Sequence, residues 1–167
     1  DTADIVFDAS FRPYCEENLC GWYGANYSCP PDCGTPEEMR LWVQKHKYAL
    51  VLRTVWDINN FKDSTLIKSA KQKHNGYTMS VIEQMESQGY KGFMVGASGC
   101  ALCNPCTITN GEPCKFPNKR YSCMSAYCIY VKDLAEKCGV SRVAVTKWLN
   151  LYMDDPTLER KIKEVLP

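Results

Sequence analysis

The sequence predicts a mixed α/β (α+β) domain, in which helices flank a small central sheet and two cysteine-rich loops lie at one end. Three short apolar runs, residues 4–9, 48–56 and 92–97, are rich in β-branched and aromatic residues and are typical of strands. Segments with apolar residues at helical spacing separate them. With 167 residues and 45% hydrophobic composition, the chain suits one domain, residues 1–167, with its own core.

Four helices are predicted around these strands. Thr35, Pro36 and Glu38 are typical of a helix start, because threonine caps the helix, proline suits its first position and glutamate completes a capping box. The other helices are predicted over residues 64–74, 77–88 and 124–138. An Asn-Gly pair divides the first two of these, and Gly139 ends the last.

The stretch 131–150 has two interpretations. Gly139, Ser141-Arg142 and Val145 lie where a helix-turn-helix motif has its turn and the start of its recognition helix, so residues 131–167 form a candidate helix-turn-helix-like C-terminal piece. Alternatively, residues 144–153 form an edge strand, because apolar residues alternate there with one interruption. Both interpretations stay open from the sequence.

The charge balance argues against partners that are recognised by electrostatics. The chain has 20 basic and 19 acidic residues, for a net charge of +1, which gives little attraction to nucleic acid or to an anionic membrane. No apolar run approaches the roughly 18 residues of a membrane span. The two histidines, His46 and His74, are distant in sequence from any cysteine loop, which weakens Cys2His2 zinc sites and histidine catalysis.

Cysteine is the exceptional residue, at 11 of 167. An odd number leaves at least one thiol over in any disulfide framework, and the cysteines cluster instead of scattering. Clustered thiols are typical of metal ligation in a reducing compartment, where disulfides are rare. We therefore expect a metal-binding protein of the cytoplasm of an anaerobic cell.

The second cysteine loop, residues 99–117, has the most specific motif. Its cysteines are Cys100, Cys103, Cys106 and Cys114, and the first three follow the pattern C-x2-C-x2-C. This spacing turns several thiolates towards one point, as a tetrahedral metal or a [4Fe–4S] cluster requires, and bacterial ferredoxins use it for three corners of a cluster. The alternative is a disulfide framework or inert buried thiols.

The first cysteine loop, residues 14–34, has a less regular pattern. Cys15, Cys20, Cys29 and Cys33 occur among glycines, prolines and four aromatic residues, which allow the backbone to wrap a cofactor and shield it from water. Either Cys33 or the more distant Cys123 is the expected fourth ligand, since paired ferredoxin motifs exchange their fourth cysteine. The alternative is a small aromatic core with buried cysteines.

These motifs resemble an uncharacterised prokaryotic family of predicted metal-binding proteins with CPP and PCxFP motifs. The matching segments are Cys20–Gly24, Ser28–Pro31, Tyr48–Val51, Gly96–Cys106 and Gly111–Pro117, and with the helix before Gly139 they extend over residues 14 to about 140. The resemblance implies metal ligation by Cys20, Cys29, Cys100, Cys103, Cys106 and Cys114. The chain departs from the family pattern at Cys33, Cys123 and Cys128, where the family usually has an aromatic residue, a serine and a glycine.

The resulting hypothesis is two [4Fe–4S] clusters that act in one-electron transfer with a redox protein partner. Four thiolates close each site, so the protein is expected to be an electron carrier or accessory subunit and not an enzyme. One alternative is a structural zinc protein with the same cysteines. Others are a redox-sensing helix-turn-helix regulator that binds DNA through the tail, and an enzyme subunit with an open cluster site.

Overall fold

The computed structural model describes residues 1–54, 56 and 63–139, and this part combines four α-helices with a two-stranded parallel sheet. The helices are α1 (Arg12–Glu16), α2 (Pro36–Gln44), α3 (Ser64–Ser87) and α4 (Val131–Lys137). The strands β1 (Val95–Gly96) and β2 (Ser122–Cys123) pair Val95 with Ser122 and Gly96 with Cys123. Single 3₁₀ turns occur at Thr2–Asp4, Ala9–Phe11 and Thr107–Asn110. The α+β class predicted from the sequence is confirmed.

Helix α2 begins as its capping signature predicts. The Glu38 backbone N–H donates to Thr35 Oγ1 at 3.2 Å, and the Thr35 N–H donates to the Glu38 carboxylate at 2.8 Å. Both contacts satisfy donors that a helix start otherwise leaves without partners. The helix directs Met39 and Val43 into the main core.

Helix α3 runs without a break, so the predicted division at Asn75-Gly76 is wrong. The side chain of Asn75 is 1% exposed and reaches the segment that follows β1. Its Oδ1 accepts from the Ala97 N–H at 3.0 Å, and its Nδ2 donates to Ser98 Oγ at 2.9 Å. These tertiary contacts outweigh the local preference of Asn-Gly for a turn.

The strand predictions overestimate the sheet. Residues 4–9 contain only an isolated bridge between Phe7 and Ile129, and only Val95–Gly96 of 92–97 form a strand. The described stretch 48–54 forms no strand; part of it lines an apolar cavity of about 430 Å³ beside α3. An apolar run indicates burial, whereas a strand also needs a neighbouring backbone with free hydrogen-bonding groups.

The last predicted helix starts later than its periodicity suggests. Cys128 has φ +57°, in the left-handed region, and α4 begins only at Val131. Cys128 is also buried, so a cysteine is held here in a backbone conformation that favours glycine. Gly139 has φ +70° and ends the helix as predicted.

Two groups of buried side chains form the core. The larger contains Met39 and Val43 of α2 with Ala126, Tyr127 and Ile129, and the smaller contains Met94, Cys100 and Tyr121. The strands lie between these groups: Val95 of β1 and Cys123 of β2 pack on the first, while Met94 and Tyr121, each just before a strand, belong to the second.

Two further predictions concern the C-terminal part and membranes. The alternatives for residues 140–167, a helix-turn-helix piece or an edge strand, lie outside the described residues, as do Val55 and residues 57–62 of the predicted central strand and its flank. Among the helices that the structure describes, none is both long and apolar enough to cross a membrane.

Candidate metal centre

A buried hydrogen-bond relay joins the two cysteine loops. Asn26 Nδ2 donates to the Cys100 carbonyl oxygen at 2.9 Å, and Asn26 Oδ1 accepts from the Ser28 hydroxyl at 2.8 Å. Ser28 Oγ in turn accepts from the Cys100 backbone N–H at 2.9 Å. Asn26 and Ser28 are each 1% exposed. The first cysteine loop therefore holds both backbone polar groups of Cys100, a residue of the second.

Cys29 lies directly against the second cysteine loop. A Cβ atom added to Gly99 would lie 3.2 Å from Cys29 Sγ and 3.6 Å from Ser28 Oγ, so glycine leaves the room that the sulfur occupies. The Ser28 hydroxyl oxygen is 3.9 Å from Cys29 Sγ. A thiol of the first loop is thus in contact with the residue that precedes Cys100.

We call Cys15, Cys20, Cys29, Cys33 and Cys123 the first thiol group, because their charges affect one another's pKa values. The charge of Cys128, outside this group, also raises the pKa of Cys15. Burial raises the pKa of Cys29 to about 12, and the neighbouring charge of Cys123 is the next cause. Burial raises the pKa of Cys15 to about 11, again with Cys123 as the next cause. Cys123 therefore brings strand β2 to the thiols of the first cysteine loop.

Backbone donors surround Cys123. Burial raises the pKa of its thiol, while the N–H groups of Ala126 and Ser125 oppose that shift by stabilising the thiolate. Such N–H groups are the usual neighbours of ligating sulfurs, where they set the potential of a cluster. The turn after β2 thus provides an environment suited to a thiolate ligand.

The second thiol group contains Cys100, Cys103 and Cys114. Burial raises the pKa of Cys100, the N–H groups of Leu102 and Tyr121 lower it, and the charges of Cys103 and Cys114 raise it. Cys106 is buried in the same loop, and the Thr109 hydroxyl donates to its carbonyl oxygen at 2.7 Å. Ligation by the Cys106 thiol together with Cys100, Cys103 and Cys114 stays a prediction.

Arg12 is a cation next to the first thiol group. Its Nη1 donates to the Gly34 carbonyl at 2.9 Å and lies 3.8 Å from Cys33 Sγ, and its Nη2 donates to the Ala126 carbonyl at 2.8 Å. Burial raises the pKa of Cys33, and the Arg12 charge opposes that rise. Arg12 therefore both ties α1 to the end of the first cysteine loop and stabilises negative charge on the thiols.

The metal-free protein is expected to lose stability as the pH rises above about 9. Cys15 and Cys29 have folded pKa values of about 11 and about 12, against an ordinary 9.0. Between the ordinary and the folded values, the unfolded chain releases thiol protons that the folded chain retains, so rising pH favours unfolding. Urea midpoints at pH 8 and pH 10, measured anaerobically with a chelator, test this prediction.

The matched variant for this measurement is Cys29→Ser, which lacks the thiol with the more strongly raised pKa. We expect its urea midpoint to fall less between pH 8 and pH 10 than that of the parent protein. An identical fall in both proteins would contradict the role given to Cys29.

The donor chemistry of both thiol groups fits a soft, thiolate-binding metal or an iron–sulfur cluster, because every member is a cysteine. Within residues 1–54, 56 and 63–139, no three His, Cys, Asp or Glu side chains gather closely enough to hold a single metal ion. Membership of the two thiol groups rests instead on the effect of one cysteine's charge on another's pKa and on the hydrogen bonds between the loops. Their members stay predictions as ligands.

Sequence reasoning missed the residues that position the thiols. No sequence signal marks Arg12 or Asn26, and Ser28 enters only as part of the matching segment Ser28–Pro31. The N-x-S spacing allows the two side chains to bond to each other. No local pattern, however, indicates that both reach the backbone of Cys100, more than 70 residues further along the chain.

Comparison with known proteins identifies the family. The family model described as Predicted metal-binding protein (DUF2284) matches residues 1–153. The chain therefore belongs to this family of predicted metal-binding proteins, as the resemblance in its motifs suggested. No curated protein and no solved structure matches the chain.

Proposed function

Taking membership of this metal-binding family as the premise, we propose that the protein holds two [4Fe–4S] clusters and transfers single electrons. Cys15, Cys20, Cys29 and Cys123 hold the first cluster, and Cys100, Cys103, Cys106 and Cys114 hold the second. Cys33 is the alternative fourth ligand of the first site. When bound, each cluster accepts or donates one electron with little rearrangement, since its charge is spread over several irons and sulfurs.

The position of Cys123 is the observation that carries this proposal. Cys123 is remote in sequence from the first cysteine loop, yet its charge is the foremost neighbouring influence on both Cys15 and Cys29. Thiols of the first cysteine loop and of strand β2 thus lie near enough for their charges to affect one another's pKa values, with no histidine or carboxylate among the causes of those shifts. Such all-cysteine sites are typical of iron–sulfur clusters and structural zinc.

Features around the sulfurs favour a cluster over zinc. Cys29, Cys100 and Cys106 are buried, and backbone N–H groups point to Cys100 and Cys123. Burial and N–H donors are the means by which proteins set cluster potentials. The C-x2-C-x2-C motif is also the ferredoxin spacing for three ligands of one cluster. A structural zinc site needs neither tuned potentials nor this triad.

The proposed protein is an electron carrier or accessory subunit of a reducing cytoplasm, and a redox protein is its expected partner. Each proposed site has four thiolates, which leaves no open position for a substrate. The Arg12 guanidinium next to the first thiol group offsets part of the negative charge that reduction adds there. We therefore expect the protein to exchange electrons rather than to catalyse a bond-forming reaction.

Iron and acid-labile sulfide content, combined with low-temperature EPR on protein prepared without oxygen, tests the proposal. We expect about eight irons and about eight sulfides per chain, and a brown protein. About four irons would leave only one cluster. A colourless protein that contains zinc and no iron would establish the structural zinc alternative and overturn the electron-transfer role.

A further inference from the structure

On the basis of the function proposed above, we infer that Asn26 and Ser28 make the two cysteine loops a single metal-loading unit. Loading of the second thiol group then organises the first, and the reverse also holds. Neither residue is a ligand. They act by positioning, because they fix the backbone of Cys100 to the loop that carries Cys29.

The hydrogen bonds between the two cysteine loops form a closed ring. The Cys100 carbonyl accepts from Asn26, the Cys100 N–H donates to Ser28, and Ser28 donates to Asn26. All three residues are buried. If Cys100 shifts alone, these polar groups lose their partners away from water, which is unfavourable. The two loops therefore move together or not at all.

A close contact between Cys29 and Gly99 also joins the two cysteine loops. Cys29 of the first group lies against Gly99, whose added Cβ would come within 3.2 Å of its sulfur. The same Ser28 whose hydroxyl accepts from Cys100 precedes Cys29 directly. A displacement of Cys100 is thus transmitted to Cys29 through one residue and one close contact.

Thermodynamic linkage relates the occupancies of the two sites. When occupancy of one site favours a shared arrangement of both loops, it raises the affinity of the other site, and the effect is reciprocal. Typical couplings between two such sites are about 5- to 150-fold. We expect about tenfold here, since the relay is buried and has several hydrogen bonds.

The experiment measures the protection of individual thiols. Protein reconstituted anaerobically with Fe²⁺ and sulfide is treated with iodoacetamide, and mass spectrometry gives the alkylation rate of each cysteine. The double variant Cys103→Ser/Cys114→Ser removes two half-buried ligands of the second group. We expect Cys15, Cys20 and Cys29 in this variant to react about tenfold faster than in the parent protein.

The variant Ser28→Ala tests the relay itself. We expect Ser28→Ala to expose the thiols of both loops. We also expect its effect and that of Cys103→Ser/Cys114→Ser to be non-additive. In a protein that already has Ser28→Ala, the double cysteine variant should not further expose the first loop. The matched control is Thr2→Val. Thr2 is also buried, but its hydroxyl donates to the His46 carbonyl, outside both cysteine loops, so protection of the first loop should change less than about twofold.

The outcomes separate this inference from the proposed function. Unchanged protection of the first loop in Cys103→Ser/Cys114→Ser, with about four irons retained, would show independent sites and overturn the linkage while the clusters stand. Equal effects of Ser28→Ala and Thr2→Val would also overturn it. Parent protein that takes up no iron would overturn both. A far-UV circular dichroism spectrum checks that each variant is folded, and the double cysteine variant tests the linkage even if Ser28→Ala does not fold.

Discussion

Replacing Cys123 by alanine is expected to remove about four of about eight irons per chain. Cys123 is half-buried, receives backbone N–H groups from the turn after β2, and is the main neighbouring charge at Cys15 and Cys29. Alanine leaves that position without any ligand, so the first site loses a corner and the second keeps all four of its predicted cysteines. Iron and sulfide content of anaerobically reconstituted protein is the measurement.

Two other cysteines provide the controls. Cys138 lies at the end of α4. Burial raises its pKa, the charge of the chain's N-terminus lowers it, and no other thiol is among the causes. Cys138→Ala should therefore retain the parent iron content. Cys33 donates to the Gly34 carbonyl at 3.7 Å and lies next to Arg12. If Cys33→Ala loses about four irons and Cys123→Ala loses none, the fourth ligand is Cys33.

Serine at position 123 separates two requirements of the first site. Cys123→Ser keeps the shape of the side chain and replaces its sulfur with an oxygen, whereas Cys123→Ala leaves no donor atom. Iron retained in Cys123→Ser and lost in Cys123→Ala would show that an oxygen ligand suffices at this corner. Loss in both variants would show that this chain depends on sulfur. Either result identifies position 123 as part of the site.

The sequence was informative about chemistry because cysteine ligation is expressed in local spacing. The prediction for the loop around Cys100 comes directly from C-x2-C-x2-C, since three ligands of one cluster come from a few adjacent residues. For the first site the sequence left Cys33 and Cys123 as alternatives, and the effect of the Cys123 charge on Cys15 and Cys29 is visible only in the structure. Spacing carries no information about contacts between distant segments, and Arg12, Asn26 and Ser28 were missed for the same reason.

The fold could be predicted in class but not in extent. The capping box at Thr35 is a contact between residues three apart, so sequence reasoning found it, and the structure confirms it. The strands were overestimated because apolar runs such as 48–54 indicate burial without specifying a neighbouring strand to pair with. Asn75 is the opposite case: a residue that favours turns lies within a continuous helix because its side chain anchors the chain after β1.

Gly96→Ala is expected to lower the free energy of unfolding by about 3 kcal/mol, an overpacking effect at the upper end of the usual range. A Cβ atom there would lie 2.7 Å from Tyr121 Cδ2 and 2.8 Å from the Ser98 carbonyl oxygen. Neither neighbour moves easily, because Ser98 presents backbone and the buried Tyr121 hydroxyl accepts from the Ala101 N–H at 3.2 Å. Chemical denaturation of the metal-free protein measures the change.

Gly92→Ala is the matched control, because it adds the same methyl group four residues earlier, at a position with no atom within 4 Å of the new Cβ. We expect its stability to stay within about 0.5 kcal/mol of the parent. Gly96→Ala should also reduce iron retention in the second site, since Tyr121 supplies an N–H group to Cys100 and its ring would be displaced. Equal stability of the two variants would show that Tyr121 and Ser98 move aside for the added methyl group and would contradict the expected overpacking.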